Sequence, residues 1–78
     1  MADDFRELFR YHRHEELRIY SLRVIPNGAE LWRTTEKPGK AATSIKEDDF
    51  TSAEEVIQTV RELQQRLFAG GWTEISNR

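Results

Sequence analysis

The sequence predicts an α+β domain of order α-β-β-β-α: a three-stranded antiparallel meander with the long C-terminal helix packed on one face. Three observations carry that prediction. Residues 17–47 hold β-branched and aromatic runs divided by two turn signatures, Pro26-Asn27-Gly28 and Lys37-Pro38-Gly39-Lys40. Residues 56–68 hold apolar side chains at helical spacing behind a capping sequence. Near the start, Phe5, Leu8, Phe9 and His12 fall at i, i+3, i+4 and i+7, the pattern of a short first helix.

Asp3 or Asp4 can cap that first helix, because the dipole favours acidic residues near a helix start. Arg6, Arg10 and Arg13 share its other side. Asp3, Glu7 and Glu16 each lie three residues from one of these arginines, a spacing at which ion pairs form on a helix. The basic-looking run around His12 and His14 therefore reads as a solvated, salt-bridged face.

The first strand is Leu17 to Ile25, ended by Pro26-Asn27-Gly28. An Asn-Gly type I′ turn would put Pro26 at a paired position, where its missing N–H loses a ladder bond. A type I turn with Pro26 and Asn27 central and Gly28 as a left-handed bulge uses all three residues. This second turn pairs Ile25 with Ala29, Leu22 with Trp32 and Arg23 with Leu31. The second strand is Ala29 to Glu36, and Lys37-Pro38-Gly39-Lys40 suits a type II turn. A tight return then sets Ile45 beside Trp32 and Lys46 beside Leu31, with the third strand running from Ala41 to about Glu47. Both turns agree on one core face: Tyr20, Leu22, Val24, Trp32 and Ile45.

Ser52, with Glu55 three residues on, forms a capping box for the long helix. Its buried stripe is Val56, Ile57, Val60, Leu63, Leu67 and Phe68, and Gly70 is the expected left-handed stop. Trp72 and Ile75 follow as a tail. Trp72 has two readings, a plug at the edge of the core or an exposed binding aromatic.

Composition limits what such a domain does. The chain has 78 residues, 37% hydrophobic and 33% charged, which fits a single small domain over residues 1–78 with one core. Without cysteine there is no disulfide, no zinc ribbon and no thiol nucleophile. A net charge of −2 is not that of a polycation built for nucleic acid. No apolar run nears the roughly 20 residues of a membrane span. The acidic start is unlike a signal peptide, so the expectation is a cytoplasmic protein without membrane contact. His12 and Glu16, with His14 nearby, fall short of the ligands a stable zinc site needs, so no metal and no cofactor is expected. No serine has a histidine relay and no glycine-rich loop cradles phosphate. The expectation is a non-enzymatic module.

By the same register, the other sheet face displays Ile19, Ser21, Arg23, Ile25, Leu31, Arg33, Ala42, Ser44 and Lys46. The candidate partner-binding residues are Arg23, Leu31, Arg33, Lys46, Ser21 and Ser44. Leu31 and Ile19 offer apolar contact and arginine is favoured at interfaces, so a protein partner or self-association leads. The same cations, with Ser21 and Ser44 as donors, also suit the phosphates of DNA or RNA. A first helix that laid Phe5, Leu8 and Phe9 over this face would remove both uses.

From Leu31 to Ile75 the chain resembles the WGR module, a small domain named for a Trp-Gly-Arg signature. The matching features are Trp32-Arg33 on the second strand, the Gly39-Lys40 turn, Phe50 before Ser52-Ala53-Glu54-Glu55, and Gly71-Trp72-Thr73-Glu74 after the helix. The central glycine of the signature is missing, and residues 1–30 lie outside the usual pattern. The resemblance implies that Trp32 and Arg33 correspond to the signature pair, and that the module binds nucleic acid, as WGR domains at DNA ends do. The αβββα order is also similar to double-stranded-RNA-binding domains. There, however, the second helix opens with basic residues, where this chain has Glu54 and Glu55.

Overall fold

The computed structural model describes residues 5–75. The chain forms β1 (Phe5–Arg13), β2 (Glu16–Ile25), β3 (Gly28–Glu36), β4 (Thr43–Phe50), α1 (Ala53–Ala69) and β5 (Thr73–Ile75). They build one five-stranded sheet of order β4-β3-β2-β1-β5, with every pairing antiparallel. This corrects the expected α-β-β-β-α order and its three-stranded meander. The first segment is a strand, β5 is added beside it, and α1 is the one helix among the described residues.

Residues Phe5–Arg13 form a strand because Phe9 and Tyr11 alternate onto the core side, where Phe9 packs 5.4 Å from Tyr20 and 5.5 Å from Tyr11 between ring centroids. The β1–β2 hairpin turns through His14 and Glu15, with His14 in the left-handed region at φ 55°. A bulge at Leu8 interrupts the alternation. It sets Glu7 and Arg10 on the same face, joined by two hydrogen bonds of 2.6 and 3.0 Å. The three-residue spacing that predicted a helix is therefore a bulged strand. Asp3 and Asp4, the expected caps, lie outside the described residues.

Pro26 and Asn27 do occupy the centre of the β2–β3 turn, but Ile25 pairs directly with Gly28. Leu22 thus faces Leu31, Ser21 faces Trp32 and Arg23 faces Glu30, one residue from the expected register. A slip of one residue turns a whole strand over. Gly28 adopts φ 152° rather than the left-handed conformation, and a Cβ there would sit 1.9 Å from the Phe50 carbonyl oxygen. Only glycine lets the end of β4 approach β3 so closely. The Lys37–Lys40 turn closes as expected, with the Lys40 N–H donating to Lys37 O at 3.1 Å and Gly39 at φ 74°. The loop runs on to Ala42, however, so β4 pairs Lys46 with Trp32 and, past a bulge, Asp48 with Leu31.

After β4 the chain crosses from one sheet edge to the other over a single face. A helix of 17 residues is about 25 Å long, enough to span five strands, about 19 Å across. Ser52 caps it by accepting from the Glu55 N–H at 3.3 Å, and Glu55 accepts in turn from Thr51 N–H and hydroxyl. The left-handed stop is Gly71 at φ 85°, not Gly70. Trp72 N–H donates to Leu67 O and Gly71 N–H to Phe68 O, the paired bonds of a Schellman motif. Leu63, Leu67 and Trp72 press on Tyr20, Leu31, Phe9, Tyr11 and Phe50 to make the core. Tyr20 and Leu31 are its most buried members, at 1% and 2% exposure.

Candidate functional site

Among the described residues, no helix covers the sheet face opposite α1. Alternation from the observed registers places Phe5, Ile19, Ser21, Arg23, Ile25, Glu30, Trp32, Thr34, Ser44 and Lys46 on that open face. Its middle is uncharged: Ile19 and Ser21 on β2 sit beside Thr34 and Trp32 on β3. Phe5, 41% exposed, meets the Trp32 ring edge-to-face at 5.8 Å and 81°.

Ionic groups surround this centre. Glu30 accepts from Trp32 Nε1–H at 3.0 Å, fixing the indole by its edge. The same carboxylate lies 3.6 Å from Arg23 and 3.8 Å from Lys46, which also pairs with Asp49 at 3.1 Å. The Arg23 guanidinium stands 5.6 Å from the Phe5 ring centroid. The hydrogen bond that Lys46 donates to Asp49 holds the ammonium above the usual lysine range. Across the face, the hydrogen bonds from Arg10 hold the Glu7 carboxyl below its ordinary value. Thr34 and Ser44 hydroxyls meet at 2.7 Å.

Of the six predicted partner-binding residues, Ser21, Arg23, Ser44 and Lys46 come together on the open face. Leu31 and Arg33 do not. Leu31 is in the core, and Arg33 lies on the helix side with Nε 3.2 Å from Glu47 Oε2. That contact is an ion pair rather than an aligned hydrogen bond, since Nε has no hydrogen-bond partner. Trp32, expected in the core, takes the place expected for Leu31. Tyr20, Leu22, Val24 and Ile45 share the helix side as expected, though Val24 and Ile45 remain 63% and 47% exposed rather than in the core.

The face is also not purely basic. Arg10, Arg23 and Lys46 share it with Glu7, Glu30, Glu36 and Asp49. The residues missed from sequence are Trp32, Phe5, Glu30 and Arg10. The alternating Glu30-x-Trp32 pair was their one local signal, because side chains two apart on a strand share a face.

Elsewhere, His12 and Glu16 lie on opposite faces and cannot share a metal ion. Trp72 is a core plug, 5% exposed, with the Arg13 and Arg18 guanidiniums 4.6 and 4.3 Å from its ring centroid. Arg13 also donates to Gly70 O at 2.9 Å, tying β1 to the helix end. Beside the helix start, Leu22, Val24, Ala29, Val56 and Ile57 line a groove of about 350 Å³ that carries no titratable side chain. Among the described residues no helix is long and apolar enough to cross a membrane.

Comparison with protein-family models, curated proteins and solved structures finds no match to this chain.

Proposed function

We propose that this chain is a non-enzymatic interaction module that binds a protein partner through the open sheet face. The observation behind the reading is the arrangement of that face: an uncharged centre with the Phe5–Trp32 pair, ringed by ions already paired in the plane. Aromatic anchors inside a polar rim are the usual anatomy of a protein interface. A cysteine-free chain also suits a reducing compartment, so the reading includes a cytoplasmic setting.

The test is a photo-reactive phenylalanine placed at Ile19 in cells that express the chain, with the same probe at Gln65 on the outer helix face as control. The reading expects a defined protein adduct at position 19 that disappears on Trp32→Lys. Adducts at position 65 with none at 19 would contradict it.

An exposed Phe5 beside a partly buried Trp32 on a sheet favours a second reading, a nucleic-acid-binding module that stacks bases on these rings. Trp32 and Arg33, the pair behind the WGR resemblance, point to opposite faces, so Arg33 has no part in such a surface. Glu30 and Asp49 beside the aromatics oppose phosphate. Under this reading the adduct at position 19 is sensitive to nuclease, and affinity for short duplexes falls steeply with salt.

A further inference from the structure

We infer that the occupant of the open face is a second copy of the chain, packed sheet on sheet about a two-fold axis; this rests on reading that face as a protein-binding surface. A two-fold interface sets a patch against itself, so the patch must not carry a large charge of one sign. The open face meets that condition. Arg10 is bound to Glu7, and Arg23 and Lys46 converge on Glu30, with Asp49 completing the cluster. Covering these groups leaves each of them paired, which avoids the heaviest cost of desolvating charge; Glu36, the remaining carboxylate of the face, lies exposed at the end of β3, away from the centre. A basic face would repel its own copy.

Area points the same way. Four strands about 4.8 Å apart, with eight to ten residues rising roughly 3.4 Å each, give a face of about 14 by 30 Å, to which the three-residue β5 adds a short strip. Two such faces cover on the order of 950 Å² even as flat planes, and side-chain relief raises the accessible area further. Stable pairs of proteins bury about 1,200–2,000 Å². The centre of the face holds Ile19, Ser21, Thr34 and the Trp32 ring, with Phe5 against it, and the ions next to it on β1, Glu7 and Arg10, are already paired with each other. Packed sheets stay within about 30° of parallel, so the long dimension of each face is usable.

The remaining surfaces suit a second copy less well. The outer edge of β4 carries Glu47, Asp48 and Asp49 in sequence, so two copies paired edge to edge would set carboxylates against one another. Ile57 and Phe68, exposed on α1, are three turns apart and do not join; Ile57 meets Val24 only in the groove of about 350 Å³ at the helix start, which is far smaller than the sheet face.

Sedimentation velocity and light scattering from roughly 1 μM to 1 mM test the inference across the range of weak to moderate affinity. The mass should rise from the 9.2 kDa monomer to twice that value. Trp32→Lys should raise the dissociation constant by about thirtyfold or more, the effect of losing a central aromatic anchor. Ser21→Lys serves as a second variant at the same place, where a small polar side chain is not part of the core. Ile57→Lys on the helix side should leave association unchanged, and circular dichroism verifies that each variant is folded. A monomer at every concentration overturns the inference, as does a dimer indifferent to Trp32→Lys and Ser21→Lys. If the probe at Ile19 labels a different protein while the chain stays monomeric, self-association is overturned and the protein-binding reading survives. Monomer together with no adduct at position 19 removes both.

Discussion

Leu31 and Trp32 are adjacent and both apolar, yet the register gives them opposite fates, so truncating each should have unequal cost. Leu31 is 2% exposed and packs among Tyr20, Phe50 and the helix residues of the core. Leu31→Ala removes a fully buried side chain from a close-packed site, which costs about 2–5 kcal/mol. A chain of 78 residues has a total stability of roughly 4–12 kcal/mol, so this one change removes a large share of it. Trp32 lies on the open face, and its main intramolecular contact is the edge-to-face pair with Phe5. Such a pair adds about 0.5–1.5 kcal/mol beyond the apolar area that the partly buried indole covers, and Glu30, which loses the indole donor, keeps Arg23 and Lys46. Trp32→Ala opens no cavity in the core and should cost about 1–3 kcal/mol, less than Leu31→Ala. Urea unfolding followed by far-UV circular dichroism, at one fixed micromolar protein concentration, measures both. The expected result is a lower midpoint for Leu31→Ala than for Trp32→Ala at similar slope. The reverse order would place Trp32 in the core and refute the register.

Two further outcomes follow from local geometry. Gly71→Ala forces a Cβ into the left-handed conformation that ends α1, so thermal unfolding should show a loss of about 1–2 kcal/mol with helix content kept at low temperature. Glu55 accepts from Thr51 N–H and hydroxyl, and Glu7 accepts from Arg10, which lowers both carboxyls below their ordinary values. Their contribution to stability is present above the unfolded glutamate value of about 4.3 and is lost as pH falls through the lower folded values. Unfolding midpoints measured across that acid range should decline, and Glu55→Gln should flatten part of the decline.

Much of the chain was legible where side-chain chemistry acts locally. Ser52 and Glu55, the Val56, Val60, Leu63 and Leu67 stripe of α1, the β-branched run of β2 and the Pro38-Gly39 turn all fold as their residues dictate. Ile57 and Phe68, counted on the same stripe, lie at its margins and stay 57% and 80% exposed. β1 was not, for two physical reasons. Its hairpin turns at His14 and Glu15, which carry none of the glycine, asparagine or proline that mark such turns. The bulge at Leu8 also breaks the two-residue alternation and leaves a three-residue spacing that imitates a helix. The face assignment turned on a single residue of register. Gly28 was free to be either a left-handed bulge or, at φ 152°, a direct partner of Ile25, and the approach of the Phe50 carbonyl, remote in sequence, decides between them. Leu31 and Trp32 are each apolar enough for the core, so the pattern alone did not correct the slip. That is why four of the six candidate residues were found and the aromatic centre was missed.

Everything proposed for the open face depends on Trp32 being there. Proton–proton nuclear Overhauser contacts of the Trp32 indole, in uniformly labelled protein, measure this directly. The account predicts contacts to the Phe5 ring and to Ile19 or Ser21 on the neighbouring strand, with none to the Leu63 or Leu67 methyls. Indole contacts to Leu63 and Leu67, with Leu31 facing Phe5 instead, would contradict it.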